Sequence, residues 1–230
     1  MKGQLSTFFP VSVYSRMAGL EPTLRQDMVR DVDEAVKATG YSDDVSSWTG
    51  DVNGYHCLHN NPLYAPLISA VREALIEYCT AIGITPGQYD YYFTRSWAVK
   101  QTKGRTVEYH RHDCSHISVV YYPEVPKGSG AFHLATDNHQ NELFSGLFRP
   151  EQYSQRMVSL SNPHSASETA LNVADDLMLI FPSKTGHRTA PNKSESPRYS
   201  ITMDILMTLK SADKHEFGLP PVENWKQIQG

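Results

Sequence analysis

The chain has 230 residues, 40% of them hydrophobic and 20% charged, a balance that suits a globular domain with a substantial core and excludes a disordered chain. Lys and Arg number 21 against 25 Asp and Glu, so there is no basic field to neutralise a phosphate backbone, and nucleic acid is not the expected partner. Cys57, Cys79 and Cys114 are scattered and form no CxxC pair, which excludes a disulfide framework and fits a reducing compartment.

No apolar run approaches the roughly 18 residues of a membrane helix. The N-terminus carries Phe8-Phe9-Pro10 but no apolar stretch of secretory length. A cytosolic protein without a membrane partner is expected, and nothing in the sequence reports an oligomeric state.

Helical spacing comes first along the chain. Leu24, Met28, Val32, Ala35 and Val36 recur at helical intervals, with Gly40 as the stop. A second helix is marked by Leu67, Ile68, Val71, Ala74, Leu75, Tyr78, Cys79 and Ile82. Pro66 sits where a first-turn proline is tolerated, and Gly83 closes the run. Between the helices, 48–51 and 56–61 read as loop. From Tyr89 the pattern changes to short β-rich runs punctuated by Gly, Pro, Asn and Ser. These predict strands at 89–99, 105–110, 116–122, 131–134, 157–160, 169–173, 177–181 and 199–209. The polar stretch 138–155 reads as a surface loop or lid. So many short strands with few helices between them predict an antiparallel double-sheet jelly roll. The whole chain reads as one domain: helical over 1–88, a mainly β core over 89–209, and a tail over 210–230.

The histidines concentrate in Tyr109-His110-Arg111-His112-Asp113-Cys114-Ser115-His116. In a strand, residues i and i+2 share a side, so His110 and His112 present two imidazoles to one point while Arg111 faces away. Two nitrogen ligands on one edge suit a divalent transition metal, but a catalytic site needs a third from elsewhere. His187 is the candidate, because it follows the buried-strand run Leu177 to Ser183 and its turn. Read alone, a histidine pair on a strand is more often an exposed feature than a metal site, and His56, His59, His116, His133, His139, His164 and His215 receive no metal role. Downstream, Arg198-Tyr199-Ser200 opens an alternating strand. A guanidinium and a hydroxyl two residues apart make a clamp for a carboxylate.

Taken in order, 110–122, 176–187 and 198–200 resemble the Fe(II)- and 2-oxoglutarate-dependent oxygenase superfamily. Within it they resemble the bacterial and phage group in which an H-x-H is followed by S-x-V-Y-Y. Here those motifs read His110-Arg111-His112 and Ser118-Val119-Val120-Tyr121-Tyr122. Ser96-Trp97 and Trp48-Thr49-Gly50 are weaker echoes upstream. The resemblance implies a double-stranded β-helix of cupin type. It makes His110 the first metal ligand and His187 the last, with Arg198 and Ser200 on the 5-carboxylate of 2-oxoglutarate and Tyr122 or Tyr121 supplying a phenol to it. It implies Fe(II), 2-oxoglutarate and dioxygen, with decarboxylation to succinate coupled to oxidation of a substrate C–H bond.

The departure is at the second ligand, where the superfamily places Asp or Glu and this chain has His112. Three arrangements stay open: His112 ligates, Asp113 ligates through a bulge, or His110 and His187 act alone. Alternation favours His112, with Asp113 then holding an imidazole tautomer. The expected substrate is a small molecule, an amino acid or its derivative, met in part by Arg149, His139 and Glu142. The other readings are a peptidyl or protein hydroxylase of the same superfamily, a three-histidine metal oxygenase without 2-oxoglutarate, and a non-catalytic jelly-roll binding protein.

Overall fold

The computed structural model describes residues 10–39, 47–50, 54–136, 141–159, 162, 164–213 and 217–228. The predicted stop Gly40, together with Phe8, Phe9, Asp51, His139, Leu160 and His215, lies outside the described residues.

Both predicted helices form. The first, α1, spans Pro22–Thr39 and buries Met28, Val32, Ala35 and Val36. The second, α2, spans Ala65–Ala81 with Pro66 in its first turn. It ends where Gly83 takes a φ of +89°, a left-handed value that costs glycine nothing, and the Ile84 N–H turns back to the Cys79 carbonyl.

The described residues also form nine strands: β1 (Tyr14–Met17), β2 (Ser47–Trp48), β3 (Tyr89–Gln101), β4 (Ile117–Glu124), β5 (Phe132–Ala135), β6 (Glu168–Leu171), β7 (Leu177–Pro182), β8 (Gly186–Thr189) and β9 (Arg198–Leu209). They build a six-stranded sheet, in order β1-β7-β4-β9-β3-β2, and a three-stranded sheet, in order β6-β5-β8. Every ladder is antiparallel. The two sheets form a double-stranded β-helix.

Strand alternation splits the large sheet into two chemical faces. Ile117, Val119 and Tyr121 of β4, Met178 and Ile180 of β7, and Tyr199, Ile201, Met203 and Ile205 of β9 pack into one core with α1 and α2. The next residues along the same strands look the other way. Val120, Tyr122, Leu179 and Phe181 meet Phe132 of β5 in a second core between the sheets. The two helices therefore back the large sheet, and its opposite face is left for a site.

Two predicted strands differ. The segment 105–110 runs beside β8 without becoming regular: Thr189 N–H reaches the Val107 carbonyl, and His110 and His187 form one isolated antiparallel bridge. At 157–159 the chain is a turn that caps the short helix α3 (Pro150–Ser154), with Met157 N–H bonded to the Gln152 carbonyl. The strands β1, β2 and β8 were not expected, because each is too short to carry a periodic pattern. None of the described helices is long and apolar enough to cross a membrane.

Candidate metal centre and its cavity

His110 and His112 do not sit on a continuous strand, as alternation alone predicts. They lie in an extended link between β3 and β4, pinned at two points. His110 exchanges both backbone hydrogen bonds with His187, each 3.0 Å, and the His112 N–H donates to the Ser183 carbonyl at 3.1 Å. The β7–β8 turn thus carries Ser183 to one histidine and His187 to the other. The imidazoles still converge. His110, His112 and His187 form the one group of potential metal ligands found among the described residues, with a ligand atom from each lying within 4.8 Å of the others. Asp113 is exposed nearby and is not in that group.

The hydrogen bonds behind the rings set the tautomers. His110 Nδ1 lies 2.7 Å from the Glu108 carbonyl and His187 Nδ1 lies 2.9 Å from the Thr185 carbonyl. His112 Nδ1 lies 2.6 Å from Asp204 Oδ1. Carbonyl and carboxylate oxygens only accept, so each Nδ1 carries the proton and each Nε2 keeps its lone pair. Burial lowers the His110 imidazole below its ordinary range. It takes His187 down to about 3, helped by His110 beside it. Both rings are therefore neutral at neutral pH, the state a metal requires. Phe132 and Phe181 contact the His187 ring at 5.5 and 5.1 Å, which supplies that desolvation.

Asp204, not Asp113, holds the imidazole of His112. It is buried on β9, on the same face as Arg198, Ser200 and Thr202. Sequence reasoning missed it, although the alternation that paired Arg198 with Ser200 reaches Asp204 at the sixth residue on. A hydroxyl relay backs the same ring: Ser118 Oγ stands 3.1 Å from His112 Nδ1 and 2.8 Å from Ser183 Oγ, which donates to Ser115 Oγ at 2.9 Å.

The cluster opens into a cavity of about 570 Å³ lined by Trp48, Arg95, Trp97, Tyr122, Ser200 and Thr202 among others, with Glu108, Arg111 and Asp113 also in its wall. Tyr122 is buried there, and burial raises its phenol to about 12. The expectation for Tyr121 is corrected. Alternation turns it to the opposite face of β4, into the helix-backed core, where its hydroxyl donates to Asp176 Oδ1 at 3.0 Å.

Arg198 is 2% exposed and lies on the Ser200 face of β9, with its guanidinium 5.6 Å from the Tyr122 ring centre. It donates to the Gly130 carbonyl at 3.0 Å and to Gln101 Oε1. Neither acceptor is charged, and no carboxylate pairs with Arg198 among the described residues. Desolvation accordingly pulls its pKa below the usual arginine value. Gln101 was also missed by sequence reasoning; it is the inward residue after Trp97 and Val99 on β3.

Other expected residues are placed elsewhere. Glu142 accepts the Gly146 N–H at 2.8 Å and so organises its own loop, and neither it nor Arg149 lines the cavity. His59 contacts Ser96 Oγ at 2.7 Å, His116 accepts the Met207 N–H at 3.0 Å, and His133 pairs with Glu168 at 2.7 Å.

Comparison with known proteins agrees with this architecture. A family described as "Putative 2OG-Fe(II) oxygenase" matches residues 95–204. The fold is similar to that of a Pseudomonas putida prolyl-4-hydroxylase (12% identity, 84% of this chain and 87% of that one, TM-score 0.50). It is also similar to HygX from Streptomyces hygroscopicus, solved with nickel and 2-oxoglutarate (12% identity, 91% of each chain, TM-score 0.54). A third similar structure is SnoK, a non-haem α-ketoglutarate-dependent carbocyclase of nogalamycin biosynthesis (13% identity, 93% and 84%, TM-score 0.55). No curated protein sequence matches.

Proposed function

We propose that this chain, an Fe(II)- and 2-oxoglutarate-dependent oxygenase by the family to which residues 95–204 belong, oxidises a C–H bond of a small molecule, an amino acid or its derivative, with His110, His112 and His187 holding the iron. The observation that carries this reading is the convergence of three imidazoles, each with its Nδ1 anchored, on the wall of one cavity.

The residues present fit the group. Neutral imidazole nitrogens are suitable donors for Fe(II), and a three-ligand face leaves positions for a co-substrate and dioxygen. When bound, iron with 2-oxoglutarate and dioxygen supplies the oxidising power for a C–H bond, and the diacid leaves as succinate and carbon dioxide. The protein's part is to bind, orient and exclude water. Replacing a ligating carboxylate by His112 removes one negative charge from the ligand set. Asp204 restores it one hydrogen bond further out and fixes the ring that carries Nε2.

Arg198 is the counter-charge for the far carboxylate of the diacid. A buried guanidinium without an anionic partner is costly, and a carboxylate relieves that cost while gaining a two-pronged hydrogen bond. Two of its N–H groups serve Gly130 and Gln101, and the rest have no partner among the described residues. Ser200 offers a hydroxyl two residues along the same face. Tyr122 stays protonated across the physiological range, so its hydroxyl can donate to the co-substrate. Trp97, Val120 and Phe132 line the rest and keep water out.

The volume, about 570 Å³, lies within the range of small-molecule sites, and the wall carries charges of both signs. Succinate release from the iron-loaded protein with 2-oxoglutarate, measured with and without candidate amino acids, tests the proposal. Stimulation over the uncoupled rate, abolished in His187→Ala and Arg198→Met, is expected. Substrate oxidation that proceeds without 2-oxoglutarate would replace it with a co-substrate-free oxygenase.

A further inference from the structure

Among the cations of the described residues, Arg95 alone lies close to two indole rings. Its guanidinium carbon lies 5.6 Å from the Trp48 ring centre and 5.3 Å from that of Trp97, and its Nη2 donates to the Gly50 carbonyl at 2.7 Å. The two indoles meet edge to face at 6.2 Å. A long, rotamer-rich side chain is thereby held in one place at the cavity wall.

The support for this placement is built from the β2–β3 edge. Thr49 hydrogen-bonds Ala98 through both its backbone N–H, at 3.0 Å, and its hydroxyl, which accepts the Ala98 N–H at 3.0 Å. Gly50 leaves room for the Trp48 indole: a Cβ there would stand 2.5 Å from its Cε2. The Trp48-Thr49-Gly50 sequence thus fixes one indole, one anchor and one carbonyl acceptor around a single guanidinium.

Two facts make this a recognition group and not a structural one. Arg95 has no carboxylate partner among the described residues, and the hydrogen bond its guanidinium makes there goes to a neutral carbonyl, that of Gly50. It also lines the same cavity as the histidine cluster, joined to it through Trp97, whose ring lies 5.4 Å from that of His112. Arg198 stands on another part of the same sheet face and is already assigned to the co-substrate. A guanidinium pre-oriented in the cavity wall, separate from the buried Arg198, matches a second anion.

We propose that Arg95, with Trp48 and Trp97, forms the subsite that takes the free carboxylate of the substrate. This rests on the oxygenase reading above and narrows it: the substrate is a free acid, and an internal peptidyl residue, whose α-carboxyl is tied up as an amide, is not one. The indole faces suit an apolar body on that acid. Asp113 and Glu108, both in the wall, are placed for an ammonium when the acid is an amino acid.

The test uses indole fluorescence, since Trp48 and Trp97 flank the guanidinium. Zinc- and 2-oxoglutarate-loaded protein is titrated with apolar L-amino acids, their N-acetyl derivatives and the matching carboxamides. Acids shift the emission with saturation and the amides bind at least tenfold more weakly. In Arg95→Gln the acids fall to the level of the amides, and in Arg95→Lys they lie between. Equal binding of acids and amides, an unaltered acid affinity in Arg95→Gln, or no binding by any acid overturns the subsite. Failure of the wild-type protein to bind zinc and 2-oxoglutarate would instead overturn the oxygenase reading, so the two failures are separable.

Discussion

The 2.6 Å contact between His112 Nδ1 and Asp204 Oδ1 orients the ring and supplies charge at the same time. An asparagine at 204 can keep the acceptor oxygen but loses the charge, so the two contributions separate. Asp204→Asn is expected to weaken metal binding by about tenfold and Asp204→Leu by about a hundredfold, the range seen when such outer partners are lost. Competition with a zinc chelator measures both. Equal affinity in all three proteins would show that Asp204 is a passive neighbour. At this scale the sequence was legible where chemistry and spacing coincide, as in His110-x-His112 and Arg198-x-Ser200. It was not legible where the partner is distant: Asp113 is adjacent to His112 in sequence, yet Asp204, far down the chain, makes the bond, because β9 runs beside β4. The one carboxylate of β9, set between Met203 and Ile205, was the available signal.

Elements were read best where a period could establish itself. The α2 face and the long β9 strand carry enough residues for one to be counted, whereas β1, β2 and β8 have four residues or fewer. The His110 segment shows the opposite limit. Its alternation suggested a regular strand, but β8 and the turn before it bond it at separated points, Val107, His110 and His112, and the rings converge through the last two. Within β4, alternation gives neighbouring tyrosines different work. Tyr121 ties the sheet to Asp176, which also accepts the N–H groups of Gly19 and Leu20 ahead of α1, and Tyr122 faces the cavity. Tyr121→Phe is therefore expected to lower unfolding stability by about 1–2 kcal/mol, the cost of an unmade buried hydrogen bond. Denaturant melts measure this, with 2-oxoglutarate affinity unaltered. A loss of that affinity with stability intact would return Tyr121 to the site.

At the level of the whole molecule, two helices and a six-stranded sheet share one core, and a second core joins the two sheets. That division was foreseeable from the strand patterns, as was a jelly roll. The cavity was not, because its wall combines β2, β3, the His110 link, β4, β5, β8 and β9, residues no local pattern brings together. The overall charge of −4 likewise concealed Arg95 in the cavity wall and the buried Arg198, two guanidinium groups lacking carboxylate partners among the described residues. The small-molecule oxidation proposed for the three-histidine centre requires iron and 2-oxoglutarate to bind side by side. The direct measurement is the visible charge-transfer absorption formed when Fe(II) and 2-oxoglutarate are added without oxygen. The band is expected in the wild type and in Asp113→Ala, and lost in His110→Ala, His112→Ala and Arg198→Met. A band that survives His112→Ala and disappears in Asp113→Ala would contradict the three-histidine centre.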